Sequence, residues 1–455
     1  MESVLNKKDL RNQIVKIASP VLIELLMGTL FGMVDMMMLG RSGDAATTAA
    51  SIAAVGVTNQ LVFLGLALVQ SLNIGATTMV ARYIGAKRED RIESVVKHVT
   101  ILTQILLVVP ILFIGLGMTD TAMKFFGAHE DTLIIGRDYF RVIASGFIFQ
   151  AFNFSIFASL RGSGDTKTPM KINIIANLSN VVGNAVLIYG LFGFPRLGVL
   201  GAGISTSLSQ VIASILLMRV VFNQKNIVHI NLKKKFKFDK DIVYNLIKIG
   251  LPASGEQLAM RAGMLIFTKI IASLGTVPYA THQICISILN LSFTPGQAFG
   301  ISASTLVGRS LGEEEPDKAE AYVKMCGKIG AIIATVMGVI FFFFGSAIAA
   351  LYTDNKEVIL GAGAVLKLVA FIQPFQCSQL IISGGLRGAG DTVWTLISTL
   401  LGILIIRWIC AHVFVIKLGM GLSGAWLAVL IDQSIRWIFI SIRFRTNNWK
   451  YITIR

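Results

Sequence analysis

Charged residues are few in this 455-residue chain: they make up 15% of it, against about 25% in a soluble protein. Hydrophobic residues make up 54%, and the mean hydropathy is +0.71. No polar stretch is long enough to form a separate soluble domain. The composition therefore excludes an ordinary soluble enzyme or binding module and indicates an integral membrane protein.

Cysteine and histidine are also scarce, with four and five residues. The cysteines show neither a disulfide framework nor zinc-site spacing, and all lie in apolar runs, at Cys285, Cys326, Cys377 and Cys410. His282 and His412 lie far apart in the sequence and have no obvious carboxylate partner. We therefore expect no metal, no cofactor and no enzyme activity; the alternative, a membrane-embedded enzyme, would need such a cluster.

Acidic residues are outnumbered, with 25 against 41 basic ones and a net charge of +16. A basic chain can bind nucleic acid, but here the basic residues occupy short loops between apolar spans, as the positive-inside rule expects. The bilayer, not nucleic acid, is thus the predicted partner. The first apolar run has no small-residue cleavage site, so it is a retained helix. We expect a plasma-membrane (inner-membrane) protein with both termini in the cytoplasm.

The chain contains one pattern of residues twice. Residues 160–166, Leu-Arg-Gly-Ser-Gly-Asp-Thr, return as residues 386–392, Leu-Arg-Gly-Ala-Gly-Asp-Thr, at an offset of 387 − 161 = 226. Pro20 with Glu24 is likewise echoed by Pro252 with Glu256. A repeat of this length indicates two copies of one large membrane domain, as in transporters that hold substrate between internal repeats.

Hydropathy places twelve spans in this pattern, so the predicted fold is an all-α membrane protein with two six-helix lobes. The spans lie near 17–39, 52–74, 95–117, 138–160, 171–192, 199–222, 249–272, 279–302, 324–347, 364–386, 392–416 and 420–442. We expect an N-lobe over 1–222, a basic cytoplasmic linker over 223–248 and a C-lobe over 249–455. The run 233–237 either binds anionic lipid headgroups or is simply solvated.

Asp35 is the leading candidate for the chemistry, since charged groups inside spans face a bundle interior or a water-filled cavity. Glu24 and Asp35 share one face of the first span. Burial disfavours the charged carboxylate, so Asp35 suits a group that is loaded by a proton or cation in turn; the alternative is an interfacial helix cap. Glu24 and Glu256 have matched positions, which indicates a shared structural role, with cation coupling as the alternative.

Aligned amides mark several other spans. The predicted polar cavity consists of Gln150, Asn153, Asn173, Asn177, Asn180, Asn184, Gln283, Ser287, Gln376 and Gln379. The four asparagines of the fifth span follow 4, 3, 4 spacing and share one helix face. Such residues either bind substrate or form hydrogen bonds between helices.

Two further local features are predicted to be structural. The repeated Leu-Arg-Gly segments lack the ending of a nucleotide-binding loop, so we expect tight turns with Asp and Thr as caps. Asp432 and Arg436 are four residues apart on one span and are expected to pair with each other.

These motifs together resemble the multidrug and toxic compound extrusion (MATE) transporters over nearly the whole chain. The features are the duplicated halves, Val34-Asp35 before Leu39-Gly40, the two Leu-Arg-Gly turns and His282-Gln283. The resemblance implies a V-shaped pair of lobes and cation-coupled export of organic cations and amphipathic compounds, and we expect a monomer. It also implies that Asp35 is the family's first-helix aspartate and Asn180 its fifth-helix asparagine.

Two departures from the family pattern bear on the coupling ion. Gln376 stands where the sodium-coupled NorM-like branch has an aspartate, and Met260 where it has a glutamate. The chain therefore resembles the DinF-like branch more, which favours protons over sodium. The other open alternative is a flippase for a lipid-linked precursor. Such proteins line their cavity with several cations, whereas this chain has few within its spans, mainly Arg261, Lys269 and Arg407.

Overall fold

A computed structural model describes residues 6–40, 45–231 and 233–454, so residue 232 of the predicted linker lies outside it. Throughout these residues the chain forms helices and connecting turns, with no strand. We number the thirteen helices α1 (Lys7–Gly40), α2 (Ala45–Gly85), α3 (Glu89–Gly117), α4 (Thr119–Phe125), α5 (Glu130–Gly162), α6 (Lys167–Tyr189), α7 (Gly198–Val221), α8 (Lys240–Ala272), α9 (Thr276–Gly312), α10 (Pro316–Ala350), α11 (Lys356–Ala389), α12 (Thr392–Lys417) and α13 (Gly421–Arg445). The predicted all-α membrane class is confirmed.

Eleven of these helices are long and apolar enough to cross a membrane. Each of the twelve predicted spans overlaps one long helix. The twelfth long helix is α8, whose 33 residues give a length of about 50 Å; Glu256, Gln257 and Arg261 lower its mean hydropathy. The short helix α4, seven residues long, is one that hydropathy does not predict.

Packing divides the chain into two units, one of residues 23–247 (the N-unit) and one of residues 1–22 and 248–455 (the C-unit). The first turns of α1 therefore belong to the C-unit, although the sequence assigned them to the N-lobe. Leu10 and Ile14 are buried there against Phe299 and Tyr322, and the Tyr322 hydroxyl donates to Gln13 Oε1 at 2.5 Å. The linker residues up to 247 pack within the N-unit.

Both repeated Leu-Arg-Gly segments end a helix in the same way. Gly164 N donates to Arg161 O and Asp165 N to Leu160 O, each at 3.0 Å, and the equivalent bonds from Gly390 and Asp391 measure 2.9 and 2.8 Å. This is the Schellman ending, which needs a left-handed residue, and the two glycines have φ of +86° and +89°. The predicted tight turns are present, but the predicted caps are only partly so. Asp165 Oδ1 accepts from Thr168 N at 3.0 Å, whereas Asp391 forms no side-chain cap and pairs with Arg443 instead.

The glycine after each repeated arginine lets two helices approach closely. A Cβ on Gly162 would lie 2.7 Å from the Thr77 carbonyl oxygen of α2, and one on Gly388 would lie 2.1 Å from the Ser304 carbonyl oxygen of α9. Small residues at such contacts let membrane helices pack backbone to backbone. The repeat thus includes the contact that fixes the helix before each turn.

Gly388→Ala should destabilise the protein because its methyl group meets backbone, which cannot move aside as a side chain can. We expect a loss of about 1–3 kcal/mol, measured as a lower Tm of the purified protein in detergent. Gly327→Ala in α10 is the matched control, since its Cβ would meet nothing within 4 Å. Equal Tm values for the two variants would contradict this account of the contact.

Candidate functional site

Asp35 lies on α1 where two asparagines of α6 reach its carboxylate. Asn184 Nδ2 donates to Asp35 Oδ1 at 2.8 Å. With the Asn180 amide turned so that its nitrogen faces Asp35, Nδ2 donates to the two carboxylate oxygens at 2.8 and 2.9 Å. Both asparagines are buried, whereas Asp35 is half-buried. The predicted Asp35, Asn180 and Asn184 are therefore brought together in one site.

The Asn180 amide has two favourable orientations, one for each protonation state of Asp35. A charged carboxylate requires the amide nitrogen, and the amide oxygen then accepts from Thr206 N and Oγ1, both at 3.2 Å. A protonated carboxyl can instead donate to the amide oxygen, while the nitrogen donates to Thr206 Oγ1 at 3.2 Å. In this second orientation the nitrogen also faces the Thr206 N–H donor, so the orientation for a charged Asp35 satisfies Asn180 more fully.

The same amide face of α6 binds a second carboxylate of α1. Asn173 Nδ2 donates to Glu24 Oε1, and Arg161 Nη2 donates to the same oxygen at 2.6 Å. The bonds Asn173–Glu24 and Asn184–Asp35 have equal sequence separations of 149 residues, because α1 and α6 run in the same direction. Asn177 lies between them, half-buried, with no hydrogen bond among the described residues.

The C-unit repeats the Glu24 arrangement. Arg387 Nη2 donates to Glu256 Oε1 at 2.5 Å, and Thr395 and Thr399 donate to the same carboxylate at 2.8 and 3.4 Å. Thr399 stands 399 − 173 = 226 residues after Asn173, which is the repeat offset. Each repeat therefore neutralises its buried glutamate with the arginine of its own Leu-Arg-Gly segment. This geometry supports the structural role predicted for Glu24 and Glu256.

The Asp35 site has no counterpart in the second repeat. The repeat offsets place Phe267 at the equivalent of Asp35, and Ile406 and Cys410 at those of Asn180 and Asn184. The guanidinium of Arg407 lies 5.5 Å from the centre of the Phe267 ring. At these equivalent positions, the first repeat thus has an acid held by amides, and the second has a ring beside a buried cation.

Asp432 pairs with Arg407 and not with Arg436, so the predicted i, i+4 pair is wrong. Arg407 Nε and Nη2 both donate to Asp432 Oδ2, at 3.0 and 2.5 Å, whereas Arg436 Nη2 donates to Thr399 Oγ1 at 3.0 Å. The reason is Gly402: without a side chain there, both Asp432 and Arg436 lie directly against α12. Each side chain therefore bonds to α12 rather than along α13.

Asp35 differs electrostatically from the other carboxylates held within the helix bundle. Glu24, Glu256, Asp432 and Asp391 each form an ion pair with an arginine, at 2.5 to 2.8 Å. In the part of the chain that the structure describes, Asp35 has no such cationic partner. Among these five acids it is therefore the one bound by neutral amides.

The remaining predicted residues fall into three groups. Asn153 is buried and bonded to α7, donating to the Gln210 carbonyl at 2.9 Å and accepting from Ser214 at 2.7 Å, which is typical of interhelical bonding. Gln150 is half-buried, and Gln283 and Ser287 are exposed. In α11 two glutamines are buried, and they differ in their partners.

Gln379 Nε2 donates to Ser383 Oγ at 3.1 Å. Gln376 is 2% exposed, yet neither its amide nitrogen nor its oxygen has a hydrogen-bond partner among the described residues. A buried amide left unpaired is unfavourable by about 1–3 kcal/mol. Gln376 is therefore the C-unit amide best placed to receive a water or a ligand. No group of three metal-binding side chains occurs within the described ranges.

The sequence alone did not identify the partners of the buried carboxylates Glu24 and Glu256. Arg161 and Arg387 lie 137 and 131 residues from the glutamates that they bind, so no local spacing identifies them. One signal was available for the arginines: the repeated glutamate and the repeated Leu-Arg-Gly occur once in each copy. Residues that recur together are candidates for a pair.

Comparison with known proteins gives a consistent match. The MatE family model matches residues 20–186 and 252–413, which is more than half of the chain. The probable multidrug resistance protein NorM of Thermotoga maritima is 28% identical over 97% of this chain and 94% of its own. An uncharacterized transporter of Bacillus subtilis, YisQ, is 28% identical over 94% and 93% of the two chains.

Solved structures match over the same length. A MATE crystal structure in complex with MaD3S has a TM-score of 0.88 and 25% identity, covering 96% of this chain and 97% of its own. A MOP superfamily transporter from Pyrococcus furiosus, reported with a binding pocket of reverse polarity, has a TM-score of 0.87 and 25% identity over 100% of both chains.

Breaking the Glu256–Arg387 pair should destabilise the protein strongly, since it leaves a buried charge unpaired. For Arg387→Ala we expect a loss of about 3–5 kcal/mol, seen as a lower Tm in detergent. Adding Glu256→Gln should recover part of it by removing the unpaired charge. Arg309→Ala is the control: its pair with Glu313 is half exposed and contributes about 0–1 kcal/mol. A double variant no more stable than Arg387→Ala would contradict the pairing argument.

Proposed function

Because this chain belongs to the MATE family of transporters, we propose that it is a proton-coupled antiporter that exports organic cations and amphipathic compounds by alternating access. The proposal rests on one observation above all: Asp35 is half-buried and has no cationic partner among the residues that the structure describes. Several relatives are named multidrug resistance proteins, which supports the substrate class. The resemblance read from the sequence is thus confirmed at the level of the family.

Asp35 can couple two ligands because one carboxylate holds one positive charge at a time. The proton and a cationic substrate would compete for it, so binding of one releases the other. The amides of Asn180 and Asn184 keep the carboxylate in place in both states, as their hydrogen bonds require no counter-charge. Inward proton flow would then drive export of the substrate.

The apolar part of a substrate would contact the methionines beside Asp35 on α1. Met33, Met36 and Met37 are 49%, 45% and 57% exposed. Flexible thioether side chains suit surfaces that accept varied apolar partners. Asn177 and Gln150 are the polar residues of the N-unit that we propose for substrate contacts. For Gln283, Ser287 and Gln376 the substrate contact stays a prediction.

Protons remain the proposed coupling ion. Sodium binding favours several oxygen ligands, as hard cations generally do, and the two amides present only nitrogen donors to a charged Asp35. Gln376 and Met260 replace the carboxylates of the sodium-coupled pattern. The DinF-like assignment stays a prediction, and the curated relatives include several named NorM. A monomer in the plasma membrane with both termini in the cytoplasm also remains our proposal.

A flippase for a lipid-linked precursor is the second candidate, and the C-unit arginines bear on it. Such a function needs cations free to hold a pyrophosphate. Arg407 is instead bound to Asp432, and Arg387 to Glu256. These ion pairs favour a scaffold role for the buried cations over a role in binding anionic substrates.

Asp35→Asn should abolish drug export, because the amide cannot be protonated or carry the charge that binds a cation. The measurement is efflux of a fluorescent organic cation from cells that produce each variant at equal levels. Asp120→Asn is the matched control, since Asp120 is half exposed and paired with Arg137. We expect wild-type efflux from the control and an unchanged Tm for both. Normal efflux by Asp35→Asn would sink the proposed coupling role.

A proton gradient alone should drive uptake of the same fluorescent cation into proteoliposomes that contain no sodium. A sodium gradient of the same size and direction, without ΔpH, should give no more uptake than empty liposomes. Transport that requires sodium and ignores ΔpH would refute proton coupling while leaving export itself intact.

A further inference from the structure

The linker between the two repeats is bound at both ends to the first turns of α3. At its first end, Asn231 N donates to Glu93 Oε1 at 2.9 Å, and Lys97 Nζ donates to the Asn231 carbonyl at 3.0 Å. Glu93 and Lys97 also pair with each other at 2.7 Å. The linker therefore leaves this point in a fixed direction.

Its second end is bound through a buried histidine. His98 is 1% exposed; its Nε2 accepts from Asp239 N at 2.9 Å, and its Nδ1 donates to the Ser94 carbonyl at 2.7 Å. One neutral tautomer satisfies both bonds. Asp239 also pairs with Arg91 at 2.8 Å. Both Asn231 and Asp239 are thus attached to α3, and residues 233–238 lie between these attachments.

Residues 233–238 between these attachments form a surface of lysines and phenylalanines, which we call the basic-aromatic face. Phe236 and Phe238 contact the His98 ring, with centroids 4.8 and 5.8 Å away, yet remain 44% and 63% exposed. Of the four lysines, Lys234 lies 3.7 Å from Glu93. The other three have no ion pair within the described residues, and they are Lys233, Lys235 and Lys237.

The location of this face suits the surface of a bilayer. It lies between the end of α7 and the start of α8 and packs on the first turns of α3, so it is at the level where helices leave the membrane. Exposed phenylalanines are favourable in the acyl boundary, and lysines beside them attract anionic headgroups. A solvated linker explains the lysines but not two rings held outward among them.

We propose that the basic-aromatic face binds the phosphate headgroups of anionic phospholipids, with the two rings inserted beside them. Each lysine near such a surface contributes about fivefold in affinity, so the three unpaired ones together favour anionic over zwitterionic lipid by about 100-fold at low salt. The attachments at Glu93 and His98 present these groups in one arrangement instead of a mobile segment.

The test places a bimane fluorophore on Lys234→Cys, in protein reconstituted into nanodiscs. The probe lipids are brominated phosphatidylglycerol and brominated phosphatidylcholine at equal mole fraction. We expect stronger quenching by brominated phosphatidylglycerol, and loss of that preference at 1 M salt, where the screening length falls to about 3 Å.

Two variants separate headgroup binding from general positive charge. Replacing Lys233, Lys235 and Lys237 by Gln should abolish the preference. The matched control replaces Lys167, Lys225 and Lys240 by Gln; these are exposed and outside the face, so the preference should remain.

Phe236→Ser with Phe238→Ser, which keeps every lysine, should weaken quenching by both lipids. In the labelled protein that keeps both phenylalanines and the other three lysines, equal quenching by the two lipids would mean apolar contact only. No quenching by either lipid would mean a solvated or protein-bound segment. Either result, or a preference that survives the first lysine triple, overturns the proposal.

Discussion

A buried glutamate bound to the arginine of its own repeat's Leu-Arg-Gly segment is the interaction on which each half of this protein depends. Glu24 with Arg161, and Glu256 with Arg387, join the first helix of a repeat to the end of its fourth span. A buried carboxylate is tolerated only when it is paired and hydrogen-bonded. The arginine can reach it because the next glycine lets the fourth-span helix lie against the backbone of its neighbour.

This pairing also explains how Asp35 differs from the other acids within the helix bundle. Glu24, Glu256 and Asp432 are each matched by an arginine, so protonation of any of them would break an ion pair that joins two helices. Among the described residues, Asp35 is instead held by neutral amides. Glu24 and Asp35 therefore lie on the same helix in different electrostatic surroundings.

The features that could be predicted from the sequence are those that are repeated or periodic. The duplication, the spans, the two tight turns and the amide face of α6 follow from spacing alone, and Asn180 and Asn184 do meet Asp35. The sequence could not predict pairs between distant helices, such as Arg407 with Asp432. The local i, i+4 partner Arg436 is the default for Asp432, and only a glycine on another helix changes that outcome. The sequence also could not predict that α1 is divided between two units, because the hydropathy of a helix does not identify the helices that it packs against.

The two Leu-Arg-Gly turns are the product of an ancestral duplication, so the two halves of the chain can be compared position by position. The two halves form an alignment of the protein with itself. Positions that kept their residue in both copies, such as the paired arginines, glycines and glutamates, are those with a contact that any such bundle needs. Positions that diverged, Asp35 against Phe267 and Asn184 against Cys410, are those where the halves differ in chemistry: an amide-bound acid in one, and a ring beside a buried cation in the other. Divergence between the halves therefore marks where this molecule is asymmetric.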